Sequence, residues 1–170
     1  DADRPAPPPP AEVSEPEAKD SLPADYVLHT LSRYLPERAI LVEETPSSRM
    51  LLHKHLPIKT PGGFYSAASG GLGFGASASV GLKLAQPDRP VVCVVGDGSL
   101  MYALQALWSA ARYGANVAYV VLNNGQYGIL KLLGAKADGT PRTMAQPYYA
   151  LGAGASAIAC SGSSPARSAT

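Results

Sequence analysis

The sequence predicts an α/β fold, a doubly wound and mostly parallel sheet with helices on both faces, and three observations predict it. Short apolar runs at 39–44 (AILVEE), 91–95 (VVCVV) and 117–122 alternate with segments of helical periodicity. Short loops join them, the order that favours parallel strands with helical crossovers. Two of the runs end in polar, glycine-containing turns, GDGS (96–99) and NNGQYG (123–128), the place where such sheets keep their ligand crevices.

The elements follow in order. Residues 1–20, DADRPAPPPPAEVSEPEAKD, hold a proline run, several acids and almost no large apolar side chains. Such a stretch cannot bury enough surface to offset its ordering entropy and reads as an extended, solvated linker, with a further segment expected before it. A single folded domain is expected over 21–150. Val27, Leu28, Leu31, Tyr34 and Leu35 recur at helical spacing, with Ser21 as candidate cap and Pro36 as stop. The strand 39–44 ends in Glu43 and Glu44, which are placed to pair or cap, and 46–55 opens a second helix after Thr45. Residues 62–67 read as a weaker strand that enters the glycine cluster SGGLGFG (69–75), and the small residues of 76–86 predict a tightly packed helix. Pro87 and Pro90 end it. After the strand 91–95, a helix over 100–113 is expected to bury Leu104, Leu107, Trp108 and Ala111 as one stripe. The last strand, 117–122, closes the pattern. From Leu151 the chain is Ala/Gly/Ser-rich without a sustained period, and 151–170 is expected to be a poorly ordered tail.

Composition excludes several classes of partner. The 170 residues are 46% hydrophobic and 16% charged, as in a globular domain, and the net charge of +1 is spread over scattered Lys and Arg. No electrostatic footprint for nucleic acid or an anionic membrane is present, and no apolar run approaches the roughly 20 residues that span a bilayer. Cys93 and Cys160 share no metal or redox spacing, so a reduced, cytoplasmic setting is expected. His53 and His55 stand two apart and point to different faces of a helix, which favours packing roles over joint metal binding.

Asp97 and Asn124 carry the chemistry. Each lies just past the apolar part of a strand, with one crossover helix between them, so both should emerge at one sheet edge. A carboxylate and an amide oxygen are hard donors that suit magnesium or calcium, and magnesium takes a couple of protein ligands and completes its shell with water and phosphate oxygens. Gly96 and Gly98 allow close backbone approach to a diphosphate, and Ser99 with the following amides supplies donors. Taken singly, Asp-Gly and Asn-Gly are ordinary turn signals. The ordered pair at successive strand ends is the more specific pattern.

GDG followed after one crossover by NN resembles the motif with which thiamin diphosphate enzymes hold magnesium and the cofactor's diphosphate. SGGLGFG, ALWSAARYG (106–114) and NNGQYGILK (123–131) are similar to the third, cofactor-binding domain of benzoylformate decarboxylases, over about 22–133. The resemblance implies Asp97 and Asn124 as side-chain magnesium ligands and the main-chain oxygen of Gln126 as a third. It implies Ser47, Gly98, Ser99, Tyr127 and Gly128 along the diphosphate, with Pro46 a departure where the family example has threonine. Leu72 would support the thiazolium ring in the bent cofactor, and the Gly70 carbonyl would accept a hydrogen bond from the aminopyrimidine. Ile129, Leu130 and Leu133 would form an apolar wall for a 2-oxo acid substrate, or simply the core of a short helix. The acid–base groups would come from a separate N-terminal pyrimidine-binding domain absent from this chain, within a homo-oligomer. No catalytic residue is assigned here, and the chain is expected to be an inactive piece of a 2-oxo acid decarboxylase.

Three alternatives stand beside this. An acetolactate-synthase-like carboligase shares the same motifs. A non-catalytic domain that only binds a diphosphate or dimerises would need no more than they provide. GLGFGA (71–76) also fits the dinucleotide fingerprint G-x-G-x-x-A, but the strand before it is poor and no acid-terminated strand follows at the expected distance.

Overall fold

In the computed structural model, residues 22–129 are described, together with the isolated position 13 and the backbone of 154–159. Five strands, β1 (Ile40–Glu44), β2 (Phe64–Ser66), β3 (Val91–Gly96), β4 (Val117–Asn123) and β5 (Gly154–Ala159), form one sheet in the order β2-β1-β3-β4-β5. β1 pairs in parallel with β2 and β3, β3 pairs in parallel with β4, and β4–β5 is antiparallel. The helices are α1 (Ala24–Tyr34), α2 (Arg49–His55), α3 (Phe74–Ala85), the short α4 (Asp97–Leu100) and α5 (Gln105–Tyr113). The expected doubly wound, mostly parallel α/β fold is therefore present.

Strand alternation divides the core into two layers. Ile40, Val42, Val91, Cys93, Val95, Val117, Tyr119 and Val121 face Ala76 and Val80 of α3 and Ala106 and Ala110 of α5. On the opposite face, Leu41, Val92, Val94 and Leu122 pack on Leu28 of α1 and Leu52 of α2. Because both faces are covered, the central strands read as unbroken apolar runs rather than alternating ones. Full burial of each such side chain stabilises by about 1.5–3 kcal/mol. Burial also pushes the Cys93 thiol up to about 12, with the Glu44 and Glu43 carboxylates adding to the shift. None of the described helices is long and apolar enough to cross a membrane.

Three expectations need correction. α1 starts after Pro23, with no side-chain cap, rather than from Ser21, which lies outside the described residues. The helix expected over 100–113 is broken into α4, a 3-10 turn at Met101–Ala103 and α5. Its buried stripe is Ala103, Ala106 and Ala110; of the expected residues Leu107 packs against this core, whereas Ala111 is exposed, Leu104 is 45% exposed and Trp108 66%. Two stripes one residue apart both satisfy helical periodicity, and the small one wins because alanine lets α5 lie close against the sheet and α3. Finally, 154–159, inside the segment expected to be a loose tail, pairs with β4 from Ala118↔Ala159 to Asn123↔Gly154.

Polar contacts tie α1 and the end of β1 to α2. Asp25 accepts from Lys54 Nζ at 3.0 Å and lies 2.7 Å from His55 Nε2, and His55 is fully buried. His53 packs its ring against Phe64 at 5.5 Å. At the end of β1, the buried Glu43 carboxylate accepts from the Thr45 N–H (2.6 Å), the Thr45 hydroxyl (3.0 Å), Arg49 Nε (3.0 Å) and the Ser66 hydroxyl (2.8 Å). Burial alone would raise the Glu43 carboxyl, but these donors and the Arg49 charge outweigh it and hold the group below the usual carboxylate range.

A carboxyl lowered on folding contributes stability that is complete above its unfolded value, near 4.5, and is lost as pH falls from there through the lower folded value. Thermal unfolding followed by circular dichroism should therefore show a steep drop in Tm below about pH 4.5 in the wild-type chain. Glu43→Gln should lower Tm at pH 7 and flatten that acid limb.

Candidate functional site

The chain runs from β1 to its neighbour β2, then crosses back over β1 to β3 on its other side. Between β1 and β3 the order of connection reverses, and the loops after these two strands must diverge to opposite faces, leaving a crevice at their carboxyl ends. A cleft of about 200 Å³ lies there. The loop after β1 contributes Thr45, Pro46, Ser47 and Ser48, the loop after β3 contributes Gly96 to Ser99, and the loop after β4 contributes Asn123, Asn124 and 126–129.

The β3–β4 register sets Gly96 opposite Leu122, so Asp97 and Asn124 leave the sheet side by side. The Asn124 N–H approaches Asp97 Oδ1 at 3.5 Å, a long contact and the one hydrogen bond this carboxylate makes among the described residues. Asn123 and Asn124 each fold their own loop, Asn123 Oδ1 accepting from the Gly125 N–H and Asn124 Oδ1 from the Gln126 N–H, both at 3.0 Å. Each amide oxygen keeps a second lone pair for a further partner. One carboxylate, one side-chain amide oxygen and nearby main-chain oxygens make an all-oxygen donor set, which fits a small hard cation. Among the described residues no group of three His, Cys, Asp or Glu side chains converges in the manner of a transition-metal centre.

The walls are closely fitted. A Cβ built on Gly98 would lie 2.6 Å from Tyr127 Cε1, so the Tyr127 ring rests directly on the Gly98 backbone. Ser99 is buried at the base of the cleft. Ser47 and the Asn124 amide close around Gly128. Leu72, from the glycine cluster ahead of α3, lines the same cleft. Of the ten residues proposed from sequence, Gly70 alone stands off its wall, in an exposed turn. Ile129 lines the cleft, while Leu130 and Leu133 lie outside the described residues. Sequence reasoning missed Leu22 and Ala24, which reach the cleft from the start of α1. No local signal marks them, because only the packing of α1 on α2 brings them there.

The glycine cluster holds a second acid. Glu44, 3% exposed, accepts from the Gly73 N–H at 2.7 Å and from the Gly75 N–H with its other oxygen. The N-terminal amides of α3, where a dinucleotide's pyrophosphate would sit, are thus taken by the protein's own carboxylate, which removes the dinucleotide reading of GLGFGA.

Fold and cleft together define an α/β cofactor-binding domain with its site at the topological switch point. Comparison with known proteins makes this specific: the model for the C-terminal TPP binding domain of thiamine pyrophosphate enzymes matches residues 45–163, and the chain belongs to that family. It is 40% identical over 107 residues to a benzoylformate decarboxylase of Pseudomonas aeruginosa, a match covering 63% of this chain and 20% of that protein. To an acetolactate synthase large subunit of Haemophilus influenzae it is 35% identical over 106 residues, covering 62% of this chain and 18% of the other. Among solved structures, a thiamine diphosphate-dependent 4-hydroxybenzoylformate decarboxylase of Rhodococcus jostii RHA1 superposes with a TM-score of 0.68 at 38% identity, over 78% of this chain and 25% of that one. A benzoylformate decarboxylase from Polynucleobacter necessarius gives 0.68 at 37% identity, over 75% and 24%. The chain spans about a fifth of the length of these curated relatives.

Because Tyr127 fills the space beside Gly98, Gly98→Ala should displace that ring at a cost of about 1–3 kcal/mol, the usual range for overpacking. Urea denaturation reads the loss, and shifted Tyr127 ring resonances would locate it.

Proposed function

We propose that this domain supplies the diphosphate and magnesium half of a thiamin diphosphate site in a 2-oxo acid decarboxylase. The observation that carries the reading is the meeting of Asp97 with the Asn124 loop over one cleft, the carboxylate answered by a single long hydrogen bond among the described residues. A half-buried anion in that position calls for a counter-charge. Magnesium would take Asp97, the Asn124 side-chain oxygen and the Gln126 main-chain oxygen as ligands. Ser47, Gly98, Ser99, Tyr127 and Gly128 would line the diphosphate, Leu72 would support the thiazolium, and the Gly70 carbonyl would face the aminopyrimidine from outside the cleft wall. When bound, the cofactor supplies the sink for the electron pair released as the 2-oxo acid loses carbon dioxide. The chain's own residues hold the diphosphate end, shield the ring side with Leu72 and Ile129, and position the reacting region.

Decarboxylation is favoured over carboligation because benzoylformate decarboxylases stand among both the sequence relatives and the solved structures. The proton-handling groups would come from a pyrimidine-binding domain, with the site completed in a homo-oligomer. In support, Met101, Tyr102, Leu104 and Trp108 expose a bulky apolar surface that an isolated domain has no reason to leave in water.

Asp97→Ala should weaken magnesium-dependent thiamin diphosphate binding by at least about tenfold, as expected for loss of a charged ligand. Titration of the chain at millimolar cofactor, followed by amide resonances, reads weak half-site binding, and equal affinities for wild type and variant would remove the metal assignment. The longer protein that carries this domain, given benzoylformate or pyruvate, should release an aldehyde. Acetolactate as the main product would make it a carboligase instead.

A further inference from the structure

We infer that Glu44 is a positioning residue that sets the height of Leu72 beneath the cofactor ring, an inference that rests on the proposed role of Leu72. Glu44 ends β1 and is almost wholly buried, yet among the described residues it has no cation partner. Its carboxylate is held by the Gly73 and Gly75 amides. Hydrogen bonds to an ionised acceptor are about twice as strong as neutral ones, and two from one short segment fix that segment as a unit.

The first of these amides belongs to the peptide that follows Leu72, so Oε1 grips the backbone at the residue whose side chain lines the cleft. The second bond leaves no slack. A Cβ on Gly75 would come within 2.9 Å of Glu44 Cβ and 3.1 Å of its Oε2, which means the carboxylate fills the gap between β1 and α3. Leu72 cannot sink toward the sheet without compressing that gap, and cannot rise without breaking both bonds. Glu44 also directly precedes Thr45, Pro46 and Ser47, the loop on the diphosphate side of the cleft. One side chain therefore sets the distance between the two parts of the site that must grip opposite ends of one cofactor. Its length matters as much as its charge, since an aspartate would end one methylene short of the amides.

The test compares two ligands on the same chain: thiamin diphosphate with magnesium, which needs the ring support, and inorganic diphosphate with magnesium, which does not. Glu44→Gln keeps one acceptor and turns the other toward a donor. In the free chain, hydrogen exchange at the Gly73 and Gly75 amides should accelerate. Thiamin diphosphate should bind about tenfold more weakly, while inorganic diphosphate stays within about twofold, since the diphosphate loops keep their own hydrogen bonds. Glu44→Asp should give the same split, a result that loss of charge alone would not produce. If Glu44→Gln does not fold, Gly75→Ala, which drives the intact carboxylate off the amides, is read in the same way. Unchanged exchange at both amides, or parallel losses for the two ligands, overturns the positioning role and leaves the cofactor reading intact. A wild-type chain that binds inorganic diphosphate but shows no thiamin diphosphate binding at millimolar cofactor overturns both.

Discussion

Parallel pairing of β3 with β4, in the register that puts Val95 opposite Val121 and Gly96 opposite Leu122, is the constraint on which the site depends. Side chains alternate faces with a period of two, so a slip of one residue would exchange the side chains of one strand between the two core layers and mismatch both against their helices. The register is held by Val91, Cys93, Val95, Val117, Tyr119 and Val121, all buried on one face. Fixed in this way, the two strands must end level, and the polar residues that follow them must share one edge. Asp97 and Asn124 meet because the core beneath them permits no other alignment.

Three acids stand at that edge, and each is answered differently. Glu43 is satisfied by a cation and neutral donors, from Arg49, Thr45 and Ser66, and braces the end of β1 against α2 and β2. Glu44 is satisfied by two backbone amides and locks β1 to the start of α3. Asp97 has one long contact among the described residues and opens onto the cleft. A partly buried carboxylate short of protein donors is completed by water or by a ligand. The series from Glu43 to Asp97 separates two acids held by the protein's own donors from one that faces the cleft with a single long contact among the described residues.

The outer face of α5 adds a second kind of incompleteness. Ala106, Ala110 and the partly buried Leu107 face the core, while Trp108 and Tyr113 of the same helix face outward, each about two-thirds exposed. An inward alanine stripe draws helix and sheet together, and an outward aromatic and aliphatic one carries a large apolar area at little entropic cost, the composition of a binding surface.

The sequence by itself determined the strands, their alternation with helices and the chemistry of the strand ends, because each of these is written in contiguous residues. VVCVV is buried on both faces wherever it lies, and GDGS and NNGQYG turn where they stand. The strand at 154–159 is not legible in the sequence because its small residues carry no period, and their pairing draws on the free edge of β4 rather than on their own composition. Tertiary structure alone decided which stripe of α5 turned inward, since two stripes one residue apart have the same period and only the room beside α3 separates them. It alone brought Leu22 and Ala24 to the cleft, and it alone gave Glu44 to amides 29 and 31 residues away. Contacts of that span depend on where helices pack, and packing depends on volumes summed over the whole core, which no local pattern records.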